Sequence, residues 1–405
     1  MMPVVFRVPL LHWDVPGYGL VLMLGFLLSV IWAARRAARS GASPDVVLNC
    51  AFIALLGGVG GARLMHVVHY WDQFRIYDNW LAIVIAILDV RKGGLEVYGG
   101  VITAIVGTVV YLALARHSIR WYLDIMAPST ALGMGLGRIG CFLNGCCWGT
   151  VCDLPWAVRF PFGSNAMAEQ WYAGEPGMDL PKELIFFPPG GVGADGRAAY
   201  PIARDVLWAT DADITRAKAV LDRQSQLRTQ LTAAKTDGDR RQVQMELAKL
   251  AGCSAAAAAS YASIVNALDT YGLTLAQLKA LARQHPAQPV HPTQFYSTIM
   301  LVLLVLLLNT VYWRRTRDGQ VICTMLVIEP WTRYVLELLR ADNPLDTLGF
   351  TVSQFLAIVL STVGLLGFVA LRFLPARSPR AKLSEPPDAP PPRAGQRARQ
   401  APTRA

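Results

Sequence analysis

Charge is what this chain has least of. Only 16% of its 405 residues are Asp, Glu, Lys or Arg, against 53% hydrophobic. Mean hydropathy is +0.35. Soluble globular chains carry about 25% charged residues, so the solubilising surface of an ordinary cytosolic enzyme is missing. The same composition excludes disorder through most of the chain, since disorder goes with low hydrophobicity. The charge that is present is lopsided, 38 Lys and Arg against 28 Asp and Glu for a net +10, but its basic residues are scattered between apolar runs. A nucleic-acid binder gathers them on one face, and no nucleic-acid partner is expected. An internal repeat is also lacking, which a transporter built on inverted halves would carry. What remains is a membrane protein.

A helix needs roughly 20 apolar residues to cross the hydrocarbon. Stretches 17–34, 46–62, 97–115, 292–313 and 347–371 approach or exceed that without a charge. Two more are interrupted: Ile125 to Trp148 contains Arg138, and Val321 to Leu339 contains Glu329, Arg333 and Glu337. The expected fold class is therefore all-α, a polytopic membrane protein of about seven transmembrane helices. Trp80 to Leu88 is too short to cross and reads as interfacial or re-entrant.

Lys and Arg in the short loops set orientation. Arg35, Arg36 and Arg39 follow span one, Arg116 and Arg120 follow span three, and Arg314, Arg315 and Arg317 follow span five. The alternate loops are poorer, although 69–96 carries Arg75, Arg91 and Lys92. The N-terminus is expected outside and the C-terminus in the cytoplasm. Because the arginine cluster follows the first apolar run, that run does not read as a cleaved signal peptide. Four regions are expected: spans one to four over 1–152, an extracytoplasmic, mainly helical soluble insert over 153–290, spans five to seven over 291–374, and a disordered basic cytoplasmic tail over 375–405.

Inside the insert, Ile214, Ala217, Leu221, Leu227, Leu231 and Ala234 keep an approximate helical period. Thr236 to Asp239 breaks it, and Val243, Leu247 and Leu250 resume, which predicts a helical hairpin. A third helix is expected over Ala255 to Tyr271, and a fourth behind Thr274 as N-cap. No catalytic constellation stands out here. Four of the seven cysteines, Cys141, Cys146, Cys147 and Cys152, crowd the outer end of span four. An outer face permits disulfides, making Cys147–Cys152 and Cys146–Cys152 candidates. The spacing departs from the separated C-x₂₋₄-C pairs of structural zinc, so small-residue packing or a disulfide is favoured and no metal is expected.

An ionisable residue inside a span costs about 2.5–3.5 kcal/mol on insertion scales and marks function by default. Glu329, Arg333, Glu337 and Arg340 stand at i, i+4, i+8 and i+11. At 100° per residue they share an arc of about 80°, so the bland reading is a ladder in which each Glu pairs with the Arg one turn on. Arg138 and Arg63 have no acid in their own spans. Asp124 is some 14 residues from Arg138, roughly 21 Å of helix. A guanidinium without an acid suits phosphate, which it grips bidentately, and in a bilayer the available phosphate is a lipid's. Glycines 57, 58, 60 and 61 flank Arg63, and 133, 135, 137 and 140 flank Arg138. They suit close helix packing, and they also let a headgroup approach backbone.

Residues 135–161, GLGRIGCFLNGCCWGTVCDLPWAVRFP, resemble the signature of bacterial prolipoprotein diacylglyceryl transferases. PGYGL at 16–20, GGVGGARLMHVVHY at 57–70, KGGLEVYGG at 92–100, HPTQFY at 291–296 and TRYVLELLRADNP at 332–344 agree in order. The resemblance covers nearly all of the membrane portion, but neither 165–288 nor the tail. It implies a bacterial inner-membrane enzyme that moves an sn-1,2-diacylglyceryl group from phosphatidylglycerol to the lipobox cysteine of a preprolipoprotein, with no cofactor. It implies that Arg138 and Arg333 are the two essential arginines. Tyr18 in the first span, Asn144, Gly149 and Glu337 are then substrate-binding positions, joined by Arg63 and Glu329. Four positions depart from the family pattern: Tyr98 stands for a histidine, Cys141 for an asparagine, Cys146 for a glutamate, and Glu329 for a tyrosine.

Tyr98 is the catalytic position by correspondence, but a phenol near pKa 10 is a poor base for a thiol near 8.5. Either another group, such as His66 or His69, takes the proton, or a thiolate attacks directly. Two other readings stay open. One is a divergent paralogue on the same scaffold with altered or lost activity. The other is a non-enzymatic lipid-binding membrane protein.

Overall fold

The apolar stretches form helices in a computed structural model of the chain, which describes residues 4–8, 13–74, 79–88, 94, 96–188, 196–233, 239–240, 243–244, 246, 253–341 and 349–378. Strands β1 (Val4–Val8) and β2 (Trp13–Pro16) precede α1 (Gly17–Arg39), α2 (Pro44–His69), α3 (Trp71–Phe74), α4 (Trp80–Leu88), α5 (Val97–Leu114) and α6 (Ile119–Asn144). There follow β3 (Val158–Arg159), α7 (Asn165–Tyr172), β4 (Ile185–Phe186), β5 (Tyr200–Pro201), α8 (Asp211–Ala233), α9 (Cys253–Tyr271), α10 (Leu275–Gln284) and β6 (Pro289–Val290). Three long helices close the chain: α11 (Thr293–Arg314), α12 (Gln320–Glu337) and α13 (Val352–Phe373).

Among the described residues, five helices (α1, α2, α5, α11 and α13) are long and apolar enough to cross a membrane. The two charge-bearing stretches are also helices, α6 with 26 residues and α12 with 18. The protein is thus an all-α polytopic membrane protein, and the nine-residue apolar run read as interfacial or re-entrant forms the short helix α4. The Pro-rich tail beyond residue 378 and the turn of the insert hairpin lie outside the described residues.

The helices divide between two units. The membrane unit comprises Val8–Gly140, Phe295–Leu338 and Pro344–Ala405. Its core is apolar, with Leu112, Ile125 and Leu308 fully buried and Leu304 and Tyr312 nearly so. The charged groups buried at its core find partners, as the low dielectric demands, although among the described residues the hydroxyls of Ser29 and Ser129 do not. Arg36 donates to Asn309 Oδ1 at 2.8 Å and lies over the Trp32 and Tyr312 rings. Asp124 is fully buried, and its two oxygens accept from the backbone N–H groups of Gly319 (2.7 Å) and Ile322 (3.0 Å). A carboxylate thus meets the orphan donors at the N-terminus of α12. Arg317 closes the far end of α13, donating to the carbonyls of Leu371 and Leu374 at 2.9 and 2.8 Å. Arg120 donates to the carbonyls of Asp318 and Pro375. The start of α6, the α11–α12 turn and the end of α13 are therefore tied together at one end of the unit.

In the same unit α2 and α5 run in backbone contact. A Cβ at Gly99 would meet the Gly61 carbonyl oxygen at 2.5 Å, and one at Gly100 the Gly58 oxygen at 2.6 Å. Thr103 fills the remaining gap and donates to Gly57 O at 2.6 Å. The close-packing role of these glycines is realised here, whereas a Cβ at Gly58 or Gly60 would meet open space.

The insert unit comprises Met1–Arg7, Cys141–Gln294 and Leu339–Asn343. Its core draws Trp148, Phe160, Phe162 and Leu184 together with Ile264, Leu278 and Ala282 of α9 and α10. Thr274 is the N-cap of α10 as the sequence predicts, and the structure adds a full capping box with Gln277. α8 occupies the first arm of the expected hairpin and packs on α9 through Ala217 and Val265. Arg223 of α8 reaches Glu246 of the second arm at 2.8 Å.

Candidate functional site

Within the membrane unit, helix pairing places the predicted residues. Glu329 stands one turn before Arg333 in α12, beside Pro330, and its carboxylate lies in the field of two guanidiniums, Arg333 first and Arg138 of α6 second. The expected ladder is not closed at this step: among the described residues, Glu329 and Arg333 form no ion pair within 4 Å. Instead Arg333 Nη2 donates to Ser353 Oγ at 3.1 Å. Tyr98 Oη lies 3.0 Å from the same Ser353 oxygen. One hydroxyl in the first turn of α13 therefore joins the phenol of α5 to the guanidinium of α12. Ser353 is a site residue that the sequence did not single out. Its only signal is a polar residue at the head of an apolar span, just inside the capping box of Thr351 and Gln354.

Glu337 is buried and accepts from Thr351 Oγ1 at 3.4 Å. Thr351 is itself the N-cap of α13, so this contact steadies the turn that carries Ser353. Arg138 is half-buried, and among the described residues its guanidinium forms no hydrogen bond and no ion pair within 4 Å. Tyr18 of α1 packs on α6 where only glycine leaves room: a Cβ at Gly140 would meet its Cδ2 at 3.1 Å.

Arg63 takes different partners from those the sequence suggested. It is buried, and it donates to the carbonyls of Ala86 (2.8 Å), Ile87 (2.8 Å) and Gly94 (3.0 Å), with its guanidinium over the Phe74 ring. Two of these carbonyls are the exposed acceptors at the C-terminus of α4, where a cation is favoured. The anion that a guanidinium without an acid calls for is met here by a helix end. Gly94 has φ +74°, the left-handed region where glycine is at no steric disadvantage. Of the histidines offered as alternative bases, His69 Nδ1 meets Glu96 Oε1 at 3.0 Å, and the His66 ring lies tilted 4.7 Å from that of Tyr70.

The insert unit holds the other predicted positions. Gly149 pairs with Arg340 as an isolated bridge, and its N–H donates to His291 O at 3.0 Å. A Cβ at this position would meet His291 Cβ at 2.6 Å and the Leu339 carbonyl at 2.9 Å. Val151 pairs with Val290, and β3 with β6. The segments 149–159 and 289–291 thus converge on one small sheet. Asn144 is the last residue of α6 and is half-buried.

The cysteines correct an expectation. Cys141, Cys146, Cys147 and Cys152 are all free thiols, and the cluster that forms leaves Cys152 out. Cys152 is drawn away because its N–H joins the sheet, donating to Pro289 O at 3.0 Å.

With this geometry in place, relatives can be compared. The sequence model of the family described as Prolipoprotein diacylglyceryl transferase matches residues 3–209 and 230–370. A stretch of 164 residues is 40% identical to the phosphatidylglycerol–prolipoprotein diacylglyceryl transferase of Rhodopirellula baltica, covering 40% of this chain and 33% of that protein. The protein of the same name from Clostridium tetani is 34% identical over 160 residues, 40% of this chain and 61% of its own. That of Pseudoalteromonas translucida is 35% identical over 163 residues, 40% and 58%. The matched stretch spans between a third and about three-fifths of these relatives' own length.

Proposed function

The chain belongs to the prolipoprotein diacylglyceryl transferase family, and we propose that it transfers an sn-1,2-diacylglyceryl group from phosphatidylglycerol to the lipobox cysteine of preprolipoproteins. The acceptor sulfur forms a bond to glycerol C3 as the C3–O bond breaks, so the product is a thioether and glycerol phosphate leaves. The observation that supports the reading is that the Glu329 carboxylate lies in the field of both Arg333 and Arg138, while among the described residues the Arg138 guanidinium has no hydrogen bond and no ion pair within 4 Å. A guanidinium offers five donors in a fixed fork. Two such groups hold the lipid phosphate and offset the charge that grows on it as it leaves, an effect strongest where water is excluded.

Glu329 supports the clamp at longer range: its carboxylate lies in the field of both guanidiniums without pairing with either, so both stay available to an anion. Tyr98 reaches Arg333 through Ser353, which fixes the orientation of the fork. For the nucleophile, a cysteine near its ordinary pKa is already a few per cent thiolate at pH 7, so direct thiolate attack needs no strong base. Tyr18 of the membrane unit is kept as a proposed substrate contact, as are Asn144 and Gly149 of the insert unit taken by themselves, and Glu337 acts on the turn that carries Ser353 through Thr351. Arg63 is assigned to holding α4 rather than to phosphate.

The proposed setting is the bacterial inner membrane, N-terminus outside and C-terminus cytoplasmic. Supporting it, Arg120, Arg315 and Arg317 gather at the end where α6 and α12 begin and α13 finishes. Reporter fusions after Arg39, Arg120 and Arg317 are expected to read cytoplasm, and one near Asp237 outside. The function is tested in detergent with phosphatidylglycerol and a lipobox peptide, following the mass shift of the peptide. Formation of the thioether product is the expected result; a correctly inserted, folded chain that makes none overturns the proposal.

A further inference from the structure

The end of α6 brings three thiols together. α6 stops in a glycine-based C-cap: Gly145 has φ +73°, the Cys146 N–H donates to Cys141 O at 3.1 Å, and the Gly145 N–H to Phe142 O at 3.2 Å. This is the Schellman pattern of 6→1 and 5→2 bonds, in which the residue after the glycine folds back on the residue three before the cap. That contact is usually between apolar side chains. Here it is Cys146 on Cys141, and Cys146 Sγ also lies 3.6 Å from Cys141 O.

The cap accounts for two thiols and leaves the third unexplained. Cys147 follows with φ +61°, a second left-handed residue in three. That region costs an L-residue about 1–2 kcal/mol, which glycine escapes. The turn brings the Cys147 sulfur to the other two, and the three sulfurs lie within 4.8 Å of one another. The loop is held from outside: Thr293 Oγ1 donates to Cys147 O at 2.5 Å, and Gln294 Nε2 to Cys146 O at 2.7 Å. A disulfide needs two sulfurs and would strand the third. Three sulfurs on a braced turn suit one ion bound to all of them.

We propose that Cys141, Cys146 and Cys147 form a tri-thiolate site for a single thiophilic cation, zinc(II). Thiolate ligands select this ion. A Zn–S bond of about 2.3 Å places tetrahedral sulfurs about 3.8 Å apart, so the cluster needs to contract by an ångström or less. Binding releases the three thiol protons to solvent as the S–metal bonds form. The three protein ligands leave a fourth tetrahedral position for water or an added thiol. Cys141 and Cys146 are in fact separated by four residues, within the ligand spacing of zinc sites. The sequence did not suggest the site because the ligand pair straddles a helix end and the third member follows directly.

The test uses the full chain, purified in detergent under anaerobic, reducing conditions and dialysed against zinc(II). One equivalent of zinc is expected to remain bound, and X-ray absorption at the zinc edge should count three sulfur ligands at about 2.3 Å. Cobalt(II) in its place should give an intense thiolate charge-transfer band. Cys146→Ser should weaken zinc binding by at least about 10-fold, the lower range for disturbing even a supporting contact. Cys152→Ser should leave it unchanged. No retained zinc, zinc with fewer than three sulfur ligands, or equal affinity in Cys146→Ser overturns the site. So does a Cys141–Cys146 or Cys146–Cys147 disulfide that forms in air and leaves zinc uptake unaltered. The X-ray measurement on the unmodified chain decides the matter even where a variant fails to fold.

Discussion

Arg63 in α2 and Arg138 in α6 share a setting in the sequence: each sits among glycines in an apolar helix with no acid along its own span. Their surroundings in the fold are opposite. The glycines around Arg63 are used on α5, whose backbone presses against Gly58 and Gly61, and the guanidinium is bound to three carbonyls. Around Arg138 the glycines take side chains instead, Tyr18 on Gly140 and Ser29 on Gly133. No backbone acceptor reaches this guanidinium among the described residues. A helix end therefore does for Arg63 what, under the proposed function, the lipid phosphate does for Arg138, and the two should respond differently to the same substitution.

The largest expected effect is at the clamp. Lysine keeps the charge but loses the bidentate fork. Arg138→Lys and Arg333→Lys should each lower transfer by at least about 10²-fold, the loss seen on removing one preorganised donor. Glu329→Gln should lower it less, since both guanidiniums stay charged. Arg63→Lys should instead act on stability, losing at least one charged hydrogen bond, about 1.5–3 kcal/mol, with turnover per folded molecule retained. Lipopeptide formation and thermal unfolding in detergent, measured on the same preparations, separate the two. A stable Arg63→Lys protein without activity would erase the contrast.

Next in size is the packing beneath Arg63. Gly99→Ala puts a methyl 2.5 Å from the Gly61 carbonyl oxygen, whereas Gly60→Ala points into open space. The first should destabilise by about 1–3 kcal/mol, the range for overpacking, and the second should be close to neutral. Unfolding midpoints of the two variants decide it; equal midpoints would mean that α2 and α5 part easily.

The Ser353 link should be smaller again. Ser353→Ala removes a hydroxyl shared by Tyr98 and Arg333, a neutral-to-charged contact of about 1.5–3 kcal/mol at most. A loss of about 10-fold in turnover is expected. Tyr98→Phe should cost a similar factor, and the double variant little more than either single one, because all three residues form one chain. Additive losses in the double variant would break that chain into two independent contacts.

How far the sequence carried these assignments varies with the kind of signal. Five membrane helices were legible because hydrophobic length is a local property, and Thr274 was legible as an N-cap because that preference is read from one residue and the run behind it. Arg138 and Arg333 stood out as charges where charge is expensive. What was not legible depends on contacts far apart in sequence. Arg63 meets carbonyls 23 to 31 residues away, and Ser353 lies 255 residues from Tyr98. Nothing near either residue announces the partner. The cysteines fall between these cases, since the C-cap that joins Cys141 to Cys146 is local, but the left-handed turn at Cys147 shows only in the backbone.

The smallest effect should come from the part of the insert unit least tied to either arginine. A deletion over 205–285 would not test this, because Val206, Ile264, Leu278 and Ala282 belong to the unit's core beside Phe160 and Phe162. α8 is different. Of its side chains only Ala217 and Leu227 are fully buried, and its packing on α9 is a small cluster around Ala217 and Val265. The family match also omits residues 210–229, nearly all of α8. Replacing residues 211–252 by a short flexible linker leaves α9, α10 and the β3–β6 pairing intact. The linker's added closure entropy is small, since that cost grows only logarithmically with length. Transfer to a short lipobox peptide is expected within a few-fold of the full chain, and any larger loss should appear only with full-length preprolipoprotein, where α8 has a surface to meet. A folded deletion protein that is inactive on the short peptide would mean that α8 supports the phosphate clamp itself, and the separation between a structural insert and a catalytic membrane unit would fail.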